Sequence, residues 1–190
     1  MTESLEIEYK TLLSQEEWEA LLSQLHLTHC ITQTNYYFDD HHCLQYKQAA
    51  LRIRRIDYHA EMTLKIKEET GHLEVTENLN LQEWQTFKAT GQLPYKASIE
   101  QYLNDYGTSL LKVKEIAHLS TTRYEKVLDK NATIMVDKST YYDKVDYELE
   151  MEVTDASQGW HQFNTFLAKH HIEFKQSHPK IARAMQAKLG

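Results

Sequence analysis

Glu6, Glu8 and Lys10 stand two residues apart, with Ile7 and Tyr9 between them and Leu5 before. In an extended chain, alternate side chains share a face, so two carboxylates and an ammonium are gathered on one side and apolar groups on the other. The pattern returns in Leu51-Arg52-Ile53-Arg54, in Thr63-Leu64-Lys65-Ile66-Lys67 and in Glu148-Leu149-Glu150-Met151-Glu152-Val153. Paired glutamates with no histidine or cysteine among them suit hard divalent cations such as Mg²⁺ or Mn²⁺. Paired arginines and lysines suit phosphate oxygens.

One such strand alone is ordinarily the solvated face of a half-buried sheet. Three features point elsewhere when the strands are taken together. The charges sort by sign from strand to strand. Arg123 and Asp137 add single charges in further strand-like stretches. Amphipathic helices need an apolar sheet face to cover, which leaves the charged face for an interior. Two carboxylates ~4 Å apart repel by about 4 kcal/mol at an effective dielectric of 20, so such an interior requires facing cations, metal or ligand.

The elements that must position these groups are legible. Ser14 and Glu17 form a capping-box pattern ahead of Trp18, Leu21, Leu22 and Leu25. Extended segments follow over 31–39, 50–58, 61–68 and 73–78, with a hairpin turn at 69–72. Asn80 and Glu83 open a second helix carrying Trp84 and Phe87. Ser98 is expected to cap a third, closed by Gly107. Strands resume over 111–128, 133–142 and 145–154. A helix spans 156–170 with Trp160, Phe163 and Leu167 on one face, and the last helix is expected to open at Pro179. The expected fold class is α+β: a closed antiparallel β-barrel of about eight strands with helices packed outside, in a single domain over 1–190.

In this order the motifs resemble the CYTH superfamily of triphosphate tunnel metalloenzymes, in particular the short CYTH proteins of Gram-positive bacteria. Glu6-Ile7-Glu8-Tyr9-Lys10 is similar to its ExExK signature, and the likeness extends through Arg52/Arg54, Lys65/Lys67, Arg123, Asp137 and Glu148/Glu150. The resemblance makes the barrel a closed eight-stranded antiparallel tunnel and implies metal-dependent hydrolysis of a linear triphosphate, inorganic or organic, with Mg²⁺ or Mn²⁺ as cofactor. It makes Glu6, Glu8, Asp137, Glu148 and Glu150 metal ligands. It makes Lys10, Arg52, Arg54, Lys65, Lys67, Arg123, Lys180 and Arg183 substrate-binding residues, with Lys65, Glu74 and Arg54 catalytic. CYTH-type adenylyl cyclisation and non-catalytic nucleotide or polyphosphate binding are the alternatives. Two points stay open: Glu74 and Glu77 alternate onto opposite faces unless a bulge intervenes, and the late acidic pair is either Glu148/Glu150 or Glu150/Glu152.

Other features narrow the class. The net charge of −7 disfavours bulk nucleic-acid binding, which needs excess lysine and arginine. Cys30 and Cys43 form neither a CxxC nor a zinc pattern and read as reduced thiols. The glutamate-rich first twenty residues do not read as a signal peptide, and no apolar run reaches membrane-spanning length. The expectation is a cytoplasmic, soluble monomer or homodimer without membrane association. The adjacent pairs His41-His42 and His170-His171 point in different directions and are expected at the surface. The tryptophans are expected in helix-to-barrel packing.

Overall fold

In the computed structural model, residues 1–188 are described. Eight antiparallel strands, β1 (Thr2–Leu13), β2 (Ile31–Asp39), β3 (Ala49–Ile56), β4 (His59–Lys67), β5 (His72–Leu79), β6 (Lys114–Asp129), β7 (Ala132–Tyr141) and β8 (Lys144–Val153), close into a barrel in the order β1-β5-β4-β3-β2-β6-β7-β8. Tight connections hold the hairpins. Asp57, at φ 46°, sits in the turn between β3 and β4, and Gly71 at φ 83° in the turn between β4 and β5, where a side chain would be strained. Among the described residues six helices accompany the sheet: α1 (Gln15–Gln24), α2 (Cys43–Tyr46), α3 (Leu81–Thr90), α4 (Ala97–Asp105), α5 (Ala156–Lys169) and α6 (Lys180–Lys188). The chain sorts into two compact units.

The first unit comprises Met1–Leu5 and Thr34–His118. Its core takes Leu51 and Ile53 from β3, Met62, Leu64 and Ile66 from β4, and Val75 from β5, packed with Phe87 of α3 and Ile99 and Leu103 of α4. Each apolar side chain buried in this way contributes roughly 1.5–3 kcal/mol. The helices therefore consume the apolar face of these strands. α3 starts where its capping box predicts: Asn80 Oδ1 accepts from the Glu83 N–H, and the Glu83 carboxylate accepts from the Asn80 N–H, both at 2.9 Å. α4 differs from expectation. Lys96 holds the N-cap position without a side-chain cap, while Ser98 lies inside the helix and donates its hydroxyl to Glu77. β6 likewise begins at Lys114, leaving Leu111 exposed ahead of it. The short α2 has no periodic signal of its own. Buried Asp39 makes it, accepting from the N–H groups of Leu44 and Gln45.

The second unit comprises Glu6–Gln33 and the chain from Leu119 onward. Ile134 and Val136 of β7 and Leu149, Met151 and Val153 of β8 are buried with Leu21 of α1 and Phe163, Phe166 and Leu167 of α5, with Ile7, Tyr9 and Trp18 packed against them. Ser14 caps α1 through a complete capping box with Glu17. α5 lies so close to the sheet at Gly159 that a Cβ there would stand 2.5 Å from Val153 Cγ2 and 2.7 Å from Tyr9 Cε2. Pro179 precedes α6 instead of opening it, its carbonyl accepting from the N–H groups of Ala182 and Arg183. Trp18, Trp84 and Trp160 pack on the strand residues Tyr124, Tyr36 and Tyr9 as expected, but Trp160 stays 46% exposed at the edge of that packing.

Candidate active site

In the second unit, strand register sets the charges in rows. Arg123 faces Asp137 across β6 and β7, and Asp137 faces Glu148 across β7 and β8. Glu150, two residues further along β8, faces Lys10 of β1. All lie on the face turned away from α1 and α5. Asp137, Glu148 and Glu150 are 0%, 1% and 6% exposed.

The first turn of α6 brings two more cations to these carboxylates. Lys180 Nζ donates to Asp137 Oδ2 at 2.7 Å and to Glu150 Oε1 at 2.5 Å, and lies 2.8 Å from Glu148 Oε1. Arg183 Nη1 donates to Glu148 Oε2 at 2.7 Å, while its Nε lies 2.9 Å from Asp146 Oδ2. Ser177 donates its hydroxyl to Glu148 Oε2. Arg123 Nη2 reaches both Asp137 and Glu150. Asp137, Asp146, Glu148 and Glu150 thus lie among the cations Lys10, Arg123, Lys180 and Arg183, which is what lets so much charge stay out of water.

The electrostatics follow from that crowding. Burial alone pushes the Lys180 ammonium down, but Glu150, Asp137 and Glu148 outweigh it and hold the group above the ordinary lysine range. Burial pushes the Glu150 carboxyl up, and Lys180, Arg123 and Lys10 carry it well below the ordinary carboxylate range. Arg123 and Lys10 are held up in the same way, against burial, by neighbouring carboxylates. Lys10 itself donates to Glu8 Oε1 at 2.8 Å.

In the first unit the interior-facing charges come from β3, β4 and β5. Glu74 Oε1 lies 3.6 Å from Arg52 Nη2 and 3.7 Å from Lys65 Nζ, and Arg54 Nη1 lies 3.8 Å from Glu61 Oε1. At those distances these are charge neighbours, not hydrogen bonds. Arg54 is aimed by a shorter contact, donating from Nε to Asn35 Oδ1 at 2.9 Å. Thr63 and Thr76 share a hydroxyl hydrogen bond on the same face. The β4–β5 register runs without a bulge, so Glu74 faces Lys65 while Glu77 turns away to Ser98. Lys67 shares the face but is exposed at the end of β4.

Glu148 and Glu150 converge, whereas Glu152 is exposed, so the buried late acidic pair is Glu148/Glu150. Glu6 and Glu8 lie half-buried on β1. Glu61, beside Arg54, and four further residues carry no role in the sequence analysis. Asp146 continues the alternation of Glu148 and Glu150 and was available from it. Asn35, Ser177 and Tyr141, which donates its hydroxyl to Asp146, carry no sequence signal that separates them from other polar residues. Among the described residues, no three carboxylate, imidazole or thiolate groups stand together in a metal-holding arrangement. Asp137, Glu148 and Glu150 surround Lys180 Nζ instead.

A closed antiparallel barrel, with apolar strand faces beneath its helices and paired carboxylates and cations on the opposite faces, defines a tunnel-type class of protein. The CYTH domain model matches residues 4–185, and the chain belongs to that family. It is 31% identical over 191 residues to YjbK of Bacillus subtilis (strain 168), named as a proposed triphosphatase, covering 99% of this chain and 98% of that one. Among solved structures, a Bacillus halodurans protein described as a proposed adenylate cyclase superposes with a TM-score of 0.89 at 31% identity, covering 96% of this chain and 98% of that one. HpAC1 from Hippeastrum, described as a proposed adenylyl cyclase with a dominant triphosphatase activity, gives 0.80 at 21% identity over 97% and 96% of the two chains; at that identity it bears on the fold alone. No helix among the described residues is long and apolar enough to cross a membrane.

Proposed function

We propose that this protein is a divalent-metal-dependent triphosphatase that hydrolyses a linear triphosphate. The observation that carries the reading is the charge gathered on the inward strand faces: Arg52, Arg54 and Lys65 beside Glu74 and Glu61 in one unit, and the buried carboxylates Asp137, Glu148 and Glu150 among Arg123, Lys180 and Arg183 in the other. The family and the name of its Bacillus subtilis relative point the same way.

The chemistry of the donors suits a hard cation, although Lys180 Nζ stands where such an ion would meet them. Asp137, Glu148 and Glu150 offer only carboxylate oxygens. Glu6 and Glu8 complete the proposed ligand set. When bound, Mg²⁺ or Mn²⁺ supplies neutralisation of phosphate charge and orientation of the attacking water. The chain's own part is to hold the substrate. Lys10, Arg52, Arg54, Lys65, Lys67, Arg123, Lys180 and Arg183 bind phosphate oxygens, and Lys65 and Arg54 stabilise the charge that spreads over the equatorial oxygens of the transferring phosphoryl group. Glu74, beside both Arg52 and Lys65, orients those cations toward the substrate.

Phosphate release from tripolyphosphate tests the assignment, with wild type compared to Glu8→Gln and Lys65→Ala, with and without Mg²⁺ or Mn²⁺. Turnover that needs metal and falls in both variants supports it; unchanged turnover in both removes it. The Bacillus halodurans likeness favours one second reading, ring closure of ATP, and a search for cyclic AMP decides between them. The reduced thiols of Cys30 and Cys43 support a cytoplasmic setting.

A further inference from the structure

The proposed metal ligands already hold a cation of the chain's own. Lys180 Nζ takes one oxygen from each of Asp137, Glu148 and Glu150 at 2.5–2.8 Å, and its side chain is only 12% exposed. Arg123 and Arg183 pair with the same trio, Arg183 also meeting Asp146, so each of the three carboxylates already has a cation of the chain against it. A divalent ion coordinated by the same oxygens would sit within the space of the ammonium, and two cations do not share one point. We infer that Lys180 is the resident counter-ion of this carboxylate trio in the empty protein, and that a divalent cation enters only by displacing it. The lysine thus sets how weakly metal binds before substrate arrives. The displaced ammonium, on its flexible stem, becomes available to phosphate oxygens. Ser177 and Arg183 hold Glu148 at the start of α6, so the trio keeps its place while the lysine moves. The inference rests on the triphosphatase reading for the kind of metal.

Mn²⁺ alone is the probe, and its affinity for the full chain is measured by calorimetry without triphosphate. Lys180→Met should bind Mn²⁺ tighter than wild type by on the order of tenfold, and Arg183→Met by clearly less. An unchanged or weaker affinity in Lys180→Met overturns the inference. So does an equal rise in Arg183→Met, which would make the effect one of general charge. A second measurement needs no variant: acetylation of wild-type Lys180, followed by mass spectrometry against exposed Lys144, should rise when Mn²⁺ saturates the protein. Continued protection of Lys180 at saturation, or no Mn²⁺ binding by wild type and Lys180→Met alike, refutes it. Tripolyphosphate turnover by wild type is scored separately. A turning-over wild type with unchanged Mn²⁺ affinity in Lys180→Met sinks this inference alone, whereas displacement without turnover sinks the triphosphatase reading alone.

Discussion

Arg123 and Asp137 face each other directly across the β6–β7 ladder, and the guanidinium forks onto the carboxylate, Nε to Oδ1 at 2.9 Å and Nη2 to Oδ2 at 2.7 Å. The register alone aligns them, so the pair needs no ligand to form. Asp137 is wholly buried, which makes the loss of either partner expensive.

Arg123→Ala should therefore lower unfolding stability by about 3–5 kcal/mol, the usual cost of leaving a buried charge without its partner. Arg123→Lys should recover only part, because an ammonium does not reproduce the two-pronged contact. Urea denaturation of the three proteins checks both statements. A loss below ~1 kcal/mol in Arg123→Ala would show that Lys180 alone suffices for Asp137.

Arg54 is aimed by Asn35, which is itself buried on β2. Removing a charge-assisted contact to phosphate costs about 1.5–3 kcal/mol, so Arg54→Ala should lower kcat/KM for tripolyphosphate by roughly 10–100-fold. Asn35→Ala should show a smaller fall in the same direction. Steady-state phosphate release decides it, and equal activity in wild type and Arg54→Ala contradicts the role assigned here.

Gly159 is where α5 touches the sheet, with Val153 and Tyr9 filling the space a methyl group would need. Gly159→Ala should cost about 1–3 kcal/mol through overpacking, despite the gain in helix propensity. Thermal unfolding gives the answer: a raised midpoint would mean that Tyr9 yields freely.

The start of α1 should govern part of the acid sensitivity. Burial pushes the Glu17 carboxyl up, but the Lys175 ammonium at 2.7 Å and the Ser14 N–H at 2.6 Å outweigh it, holding the group below its ordinary value of 4.5. A carboxyl depressed in the folded state stabilises above its unfolded pKa and loses that stabilisation as pH falls through the folded one. Glu17→Gln should thus destabilise at neutral pH and flatten the decline of stability below pH 4.5. Unfolding midpoints followed from neutral pH into acid check this, and an unaltered acid slope would contradict it. Ser14→Ala should cost about 1 kcal/mol at neutral pH.

Alternation along the chain determined which side chains keep company. That Glu6, Glu8 and Lys10 share a face and that Arg52 joins Arg54 follow from the two-residue repeat of an extended backbone, a local property any strand inherits, whereas the parting of Glu74 from Glu77 also needed the bulge-free β4–β5 register. The capping boxes at Ser14 and Asn80 were legible for the same reason, since donor and acceptor lie three residues apart. Ser98 shows the limit of such signals: with Glu77 in reach across the fold, its hydroxyl bonds there and caps nothing. Only the tertiary structure decided that Glu148 and Glu150 are the buried pair and Glu152 is not, because exposure depends on what packs at each end of β8. It alone placed Lys180 among carboxylates 30 and 43 residues distant. Contacts of that span depend on strand register and on where a helix re-enters the fold, and no local repeat in the sequence encodes either.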